Sequence, residues 1–245
     1  MGARAPTAVV PTTLAWPLPS GPTAHVRFSS AADGDLAVDQ PAEVLEARRQ
    51  ALVPLPWTWL RQVHGNRVVV VDEPGARAGA DADAAVTAVA GAALAIQTAD
   101  CVPVALVADE GVVAAVHVGW RGLVAGVVEA AAAAVRRAGG GRLRAVIGPS
   151  IHPCCYEFGA ADLDRVAARY GDGVWATTRS GRPALDMPAA VGSALAAVPD
   201  TEVRRAGPGC TGCGTPPMFS HRARGDTARQ AMVVWLEAGT REAGP

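Results

Sequence analysis

Apolar positions in this chain of 245 residues come in short valine- and alanine-rich runs first and in longer helical stripes later. The runs at 24–28, 57–63, 67–72, 84–87, 93–98, 102–108 and 112–118 have the length and turn punctuation of strands. Gly65-Asn66 is a hairpin-turn signal between the second and third runs and predicts His64 at the mouth of a turn. Asp109-Glu-Gly111 predicts a second hairpin that places the strand after Cys101 and the strand holding His117 in one sheet. Helical periodicity is predicted over 122–138, with Gly139-Gly-Gly141 as its stop, and Arg121 then stands just before a helix start. A strand is predicted at 143–147 and helices at 160–170 and 187–198, while 227–238 reads as either type. Strands clustered first and helices later predict an α+β fold. Residues 1–23, broken by Pro6, Pro11, Pro17, Pro19 and Pro22, read as a poorly ordered lead-in to one domain over 24–245.

Composition narrows the possible partners. Half of the residues are hydrophobic and the net charge is −1, so neither a nucleic-acid footprint nor an acidic tail is present. The apolar uncharged run between Asp83 and Asp100 is shorter than the ~18 residues of a membrane span. The prolines also interrupt any signal-peptide core. Five cysteines without framework spacing read as reduced thiols, and a cytoplasmic protein is the expectation.

Chemistry concentrates in three segments: Arg61-Gln-Val-His64-Gly, Thr98-Ala-Asp-Cys101-Val-Pro and His117-Val-Gly-Trp-Arg-Gly122. Each key residue ends or follows a predicted strand, so the three can converge at strand ends. One thiolate and two imidazoles suit zinc and leave a fourth position for water or substrate. Taken singly, a cysteine in an apolar run is usually core and a histidine usually serves a hydrogen-bond network. Asp100 beside Cys101 is expected to orient a donor near the metal and is the nearest choice for a general acid. Arg121, flanked by Gly119 and Gly122, reads as an anion site or as a plain surface arginine. Asp81 and Asp83 read as turn carboxylates, at least one of them with no further role. Cys210-Thr-Gly-Cys213 with Cys154-Cys155 is a weak metal signal, because adjacent cysteines are not a usual chelating pair. With few other histidines, about one zinc per chain is expected.

The segments RQVHGNRVVVVD, ADADAAVT, QTADCVPVALVAD, AAVHVGWRGLVAGVV, IGPSIHPCCYEFG and, more loosely, CTGCGTPPMFSHRARGDTARQA resemble the laccase-domain, multi-copper polyphenol oxidase-like family, better described as zinc purine nucleoside phosphorylases. The resemblance runs from about residue 24 to 238. It implies an α-β-β-α sandwich of the bacterial deamidase toxin-like type and zinc held by His64, Cys101 and His117; these three, with Asp100 as the nearest general-acid candidate, form the expected catalytic set. The implied activities are phosphorolysis of adenosine, inosine, guanosine and methylthioadenosine, together with adenosine deamination. Gln62, Arg121 and Arg222 are the residues expected to contact substrate or phosphate, and the expected molecule is a monomer acting on small molecules, with no nucleic-acid or membrane partner. Some members of the family are described as peptidoglycan editing factors, so an amidase acting on cell-wall precursors, or a non-enzymatic cell-wall or division partner, are the alternatives. This chain lacks the arginine and paired glycines of the family's opening loop, having Val26-Arg-Phe-Ser-Ser-Ala-Ala-Asp-Gly-Asp-Leu36 instead, and carries Ser220-His221-Arg222 where many members have serine-tyrosine-arginine. A copper oxidase needs about ten histidines, usually in HxH pairs. This chain has five and no such pair, which excludes laccase chemistry.

Overall fold

The computed structural model describes residues 13–207, 209–215 and 217–238. In chain order the first half runs β1 (Thr13–Pro17), β2 (Thr23–Phe28), α1 (Ala42–Leu52), β3 (Trp57–Arg61), β4 (Val68–Val70), β5 (Ala80–Asp81), β6 (Ala84–Thr87), β7 (Ala93–Thr98), β8 (Val102–Ala108) and β9 (Val112–Val118). The second half runs α2 (Trp120–Ala125), α3 (Val127–Arg137), β10 (Leu143–Ile147), α4 (Ala160–Tyr170), β11 (Trp175–Thr177), β12 (Pro183–Leu185), α5 (Met187–Ala196), β13 (Thr201–Arg205), α6 (His221–Arg224) and β14 (Gln230–Glu237). No described helix is long and apolar enough to cross a membrane.

Two six-stranded sheets form the centre. One has the order β1-β2-β14-β7-β3-β5 and the other β13-β10-β8-β9-β6-β4, while β11 and β12 make a separate ribbon. Leu94, Ile96, Met232 and Val234 of the first sheet meet Ala105, Val107, Val113 and Ala115 of the second in one apolar layer. The outer face of the second sheet, with Val104, Leu106, Ala114 and Val116, packs on Val128, Val135, Leu163 and Val191 of helices α3 to α5. Helix α1 covers the outer face of the first sheet through Leu45 and Leu52. The layers are therefore helix, sheet, sheet, helices. Strands β8 and β9 are buried along their whole length, which explains their nearly unbroken apolar runs: both faces are covered, so no alternation is required.

Three departures from the sequence reading bear on the site. Gly65-Asn66 does not close a hairpin, because β3 belongs to the first sheet and β4 to the second. The chain crosses between the sheets there, and crosses again from β7 to β8 through Asp100 and Cys101. The predicted 122–138 helix is two helices, since Gly126 takes the left-handed conformation (φ 88°) between α2 and α3. Part of the expected lead-in, Thr13–Pro17, is a strand paired antiparallel to β2; residues 1–12 lie outside the described residues. The hairpin between β8 and β9 and the strand alternative for 227–238 are as expected.

Candidate metal centre

The two sheet crossings meet. His64 sits in the first crossing, Cys101 ends the second, and His117 is the penultimate residue of β9. Along β9 His117 shares its side with Val113 and Ala115, which line the layer between the sheets, so its ring enters the site from that layer. The ligand atoms of His64, Cys101 and His117 all lie within 4.8 Å of one another. His64 Nε2 is 3.7 Å from Cys101 Sγ, and the two imidazoles stand edge to face with centroids 4.8 Å apart. His117 is buried, Cys101 half-buried and His64 exposed, so the group opens outward on the His64 side.

Asp83 holds the group together, although its sequence position suggested a turn carboxylate. It is fully buried, and its Oδ1 accepts hydrogen bonds from His117 Nδ1 at 2.8 Å and from the His64 backbone N–H at 2.9 Å. Its Oδ2 accepts from the Gly65 N–H at 2.7 Å. These bonds fix His117 as the tautomer whose Nε2 faces Cys101, and they secure His64 in a left-handed conformation (φ 57°) that only a few non-glycine residues tolerate. Burial pushes the Asp83 carboxyl up, but His117 and the two N–H groups outweigh it and hold it below its usual range. Burial likewise opposes charge on Cys101 and His117, yet their mutual attraction wins. The Cys101 thiol is pulled down to about 6, and His117 is pushed up to about 9 with help from Asp83.

Space around the group is set by glycine. A Cβ at Gly119 would stand 2.5 Å from His64 Cδ2, and one at Gly122 would stand 2.8 Å from the Gly65 carbonyl oxygen. The Gly-Trp-Arg-Gly segment therefore makes room for the histidine turn.

The other expected site residues divide. Arg121 is exposed and lies within the first turn of α2, not before it, with its guanidinium 4.4 Å from the Trp120 ring centroid. Arg222 lies 5.1 Å from the Tyr156 ring centroid. Burial raises the Tyr156 phenol, Cys101 and Asp100 reinforce the rise, and Arg222 and Arg121 oppose it. The same phenol is thus influenced by both arginines and by Cys101. Gln62 bonds to the backbone of β7. Its amide donates to the Gln97 carbonyl at 2.8 Å and accepts from the Gln97 N–H at 2.9 Å, extending the attachment of β3 to β7 up to the His64 turn.

Asp100 is an anchor in this structure. Its Oδ1 accepts from Thr211 Oγ1 at 2.7 Å and Ser220 Oγ at 2.6 Å, and its Oδ2 accepts from the Arg222 N–H at 2.6 Å. Three donors occupy a buried carboxylate on a residue held at φ 101°. The arrangement ties the segment carrying Arg222 to the residue next to Cys101.

Two imidazole nitrogens and a sulfur, with a carboxylate behind one imidazole, make a donor set that fits a borderline-soft divalent metal with one position left open. Asp83→Asn is expected to weaken metal binding by about 10- to 100-fold, because the partner that fixes His117 is lost while its volume is kept. Competition against a chromophoric chelator measures this, and an unchanged affinity would show that Asp83 does not tune the site.

The sequence profile of the family described as multi-copper polyphenol oxidoreductase laccase matches residues 20–237. Purine nucleoside phosphorylase ORF3 of Streptomyces griseus is 43% identical over 218 residues, covering 83% of this chain and 86% of that protein. Purine nucleoside phosphorylase PA4543 of Pseudomonas aeruginosa is 34% identical over 238 residues, covering 91% and 96%. Among solved structures, protein NMB0706 of Neisseria meningitidis aligns with a TM-score of 0.75 at 28% identity, covering 93% of this chain and 99% of that one. YlmD from Geobacillus stearothermophilus aligns with a TM-score of 0.74 at 26% identity, covering 89% and 93%. With the profile spanning β2 to β14 and the whole histidine–cysteine group, the chain belongs to the multi-copper polyphenol oxidoreductase laccase family.

Proposed function

We propose that this protein is a zinc-dependent purine nucleoside phosphorylase acting on adenosine, inosine, guanosine and methylthioadenosine, with adenosine deamination at the same site. The observation that carries the reading is the His64–Cys101–His117 group, with Arg222 tied by its backbone to Asp100 beside Cys101 and Arg121 four residues after His117, in a chain whose relatives, 34% and 43% identical over most of their length, are named purine nucleoside phosphorylases. The same reading takes the helix-sheet-sheet-helix layering as the deamidase toxin-like sandwich. It places the protein in the cytoplasm, where nucleosides and phosphate are available.

His64, Cys101 and His117 would hold the zinc, which when bound supplies a Lewis acid beside the substrate. The remaining work belongs to the chain. Arg121 and Arg222 bind phosphate with charge-assisted hydrogen bonds and hold it against the ribose. A phosphate oxygen bonds to C1′ as the C1′–N9 bond breaks, and the bonding pair leaves with the purine, which takes up a proton. Positive charge builds on the sugar in between, so a fixed anion beside C1′ lowers the barrier. Asp100 serves by holding the Arg222 segment in place, and Asp83 by holding His117.

Free purine base and ribose 1-phosphate are expected only when phosphate is supplied, and chelation should suppress their release. Failure to release base from any nucleoside, with phosphate and zinc both present, would overturn the reading. One observation favours a second function, an amidase acting on peptidoglycan precursors: Cys101, His117 and Asp83 stand in the order thiol, imidazole, carboxylate used by thiol hydrolases. Amide cleavage that is indifferent to phosphate would favour it.

A further inference from the structure

Four of the five cysteines lie outside the histidine–cysteine group, and the fold gathers all four. Cys154 and Cys155 end a 3-10 turn, Pro153–Cys155, after β10, while Cys210 and Cys213 bracket Thr211-Gly212 some fifty residues on. Their Sγ atoms all lie within 4.8 Å of one another, Cys154 and Cys213 are 3.5 Å apart, and every thiol is free. Zinc–sulfur bonds of about 2.3 Å in a tetrahedron separate the sulfurs by about 3.8 Å, so the cluster already has the dimensions of a four-thiolate cage.

Local geometry explains why an adjacent pair can contribute both sulfurs. In a strand, neighbouring side chains point to opposite faces, whereas a 3-10 turn rotates them by only about a third of a circle. The facing turn closes because residue 212 is glycine: a Cβ there would stand 2.9 Å from Cys155 Cβ and 3.1 Å from its Sγ. Cys210 Sγ accepts hydrogen bonds from the backbone N–H of His152 at 3.3 Å and from those of Gly212 and Cys213, the support that a metal-bound thiolate receives in a Cys-x-x-Cys turn. The two segments are also joined by the Thr211 N–H donating to the Ser150 carbonyl at 2.9 Å. No histidine or carboxylate joins this cluster among the described residues.

We infer that Cys154, Cys155, Cys210 and Cys213 form a second metal site, a closed four-thiolate cage for a structural zinc. Binding exchanges thiol protons for zinc–sulfur bonds, releases those protons to solvent and changes no oxidation state. Four protein ligands leave no position for substrate, so the site's task is mechanical. Cys155 precedes Tyr156, and the chain beyond Cys213 leads to Ser220 and Arg222, which Asp100 ties beside Cys101. The metal therefore clasps the segment that carries Tyr156 to the segment that carries Arg222, whose guanidinium lies 5.1 Å from the Tyr156 ring centroid. The expected content rises from one zinc per chain to two. The inference stands whether the first site performs phosphorolysis or not.

Elemental analysis of protein purified under reducing conditions, saturated with zinc and desalted, tests it. Wild type is expected to carry about two zinc ions per chain, Cys213→Ser and Cys154→Ser each one fewer, and His117→Ala one fewer from the other site. Loss of the cage should also lower the melting temperature of the cysteine variants. Where a cysteine variant fails to fold, His117→Ala loaded with cobalt(II) gives the answer, because an all-thiolate tetrahedral cobalt site shows sulfur-to-metal charge-transfer bands and intense visible bands. Wild type with no more than one zinc on fully reduced thiols, a folded Cys213→Ser protein with undiminished zinc, or cobalt-loaded His117→Ala without thiolate bands would each overturn the assignment.

Discussion

Replacing Cys101 with alanine is expected to lower phosphate-dependent purine release by about 10³-fold or more while the protein keeps its circular dichroism spectrum. Cys101 is the one sulfur within reach of both imidazoles, and it stands where the chain passes from the first sheet to the second. Without it the metal keeps two imidazoles on a site built for three ligands, and affinity should fall with activity. The fold has independent support at this point. Asp100, the neighbouring anchor, keeps its three hydrogen bonds, and β8 remains buried between β9 and β10. Zinc content should drop by one equivalent in the same variant, leaving the four-cysteine site loaded. A folded Cys101→Ala protein that turns over at the wild-type rate would exclude both a metal-ligand and a nucleophile role for this residue.

Where the sequence was legible, the reason is physical. The strands at 84–87, 93–98, 102–108, 112–118 and 143–147 and the helix at 160–170 appear with the expected limits, because buried runs bounded by glycine or aspartate leave little choice of boundary. Helix α1 escaped notice. Its buried positions, Leu45, Arg49 and Leu52, have helical spacing, but the middle one is an arginine that buries itself against Trp57 and Trp59, with its guanidinium 5.6 and 5.4 Å from their ring centroids. The Gly65-Asn66 signal correctly marked a turn and misled about the partner, since a turn motif fixes local direction and not which sheet receives the next strand. His64, Cys101 and His117 could be singled out because each ends or follows a strand. Asp83 could not: an aspartate before a strand looks like turn chemistry, and only the paired sheets reveal that it points inward at His117. The sign available was its place between Ala82 and Ala84 at the start of a fully buried strand, where a carboxylate needs several donors to be tolerated. The cysteine cluster was hidden by separation along the chain, as nothing local tells residues 154 and 155 that 210 and 213 will face them.

Arg121→Ala is expected to raise the KM for phosphate and to depress phosphorolysis by about 10²-fold, the scale of losing a charged contact to the transition state. Helix α2 is only six residues long, so little of its dipole is available, and Arg121 lies inside its first turn. What remains is an exposed guanidinium that leans on Trp120 and acts on the Tyr156 phenol together with Arg222. Arg121 appears in none of the ion pairs among the described residues, whereas Arg61, Arg144 and Arg224 are each neutralised by a carboxylate. An exposed cation four residues after His117 is free to meet an anionic substrate. Deamination of adenosine needs water and no phosphate, so it should fall far less in the same variant. The ratio of the two activities is therefore the informative quantity, since misfolding or metal loss would lower both together. Arg121→Lys should recover part of the phosphate affinity by restoring charge without the bidentate fork, and Arg222→Ala should resemble Arg121→Ala if both arginines share the anion. Equal loss of both activities in Arg121→Ala, with an unchanged phosphate KM, would remove the phosphate role and leave Arg121 as a contact to the part of the substrate common to both reactions.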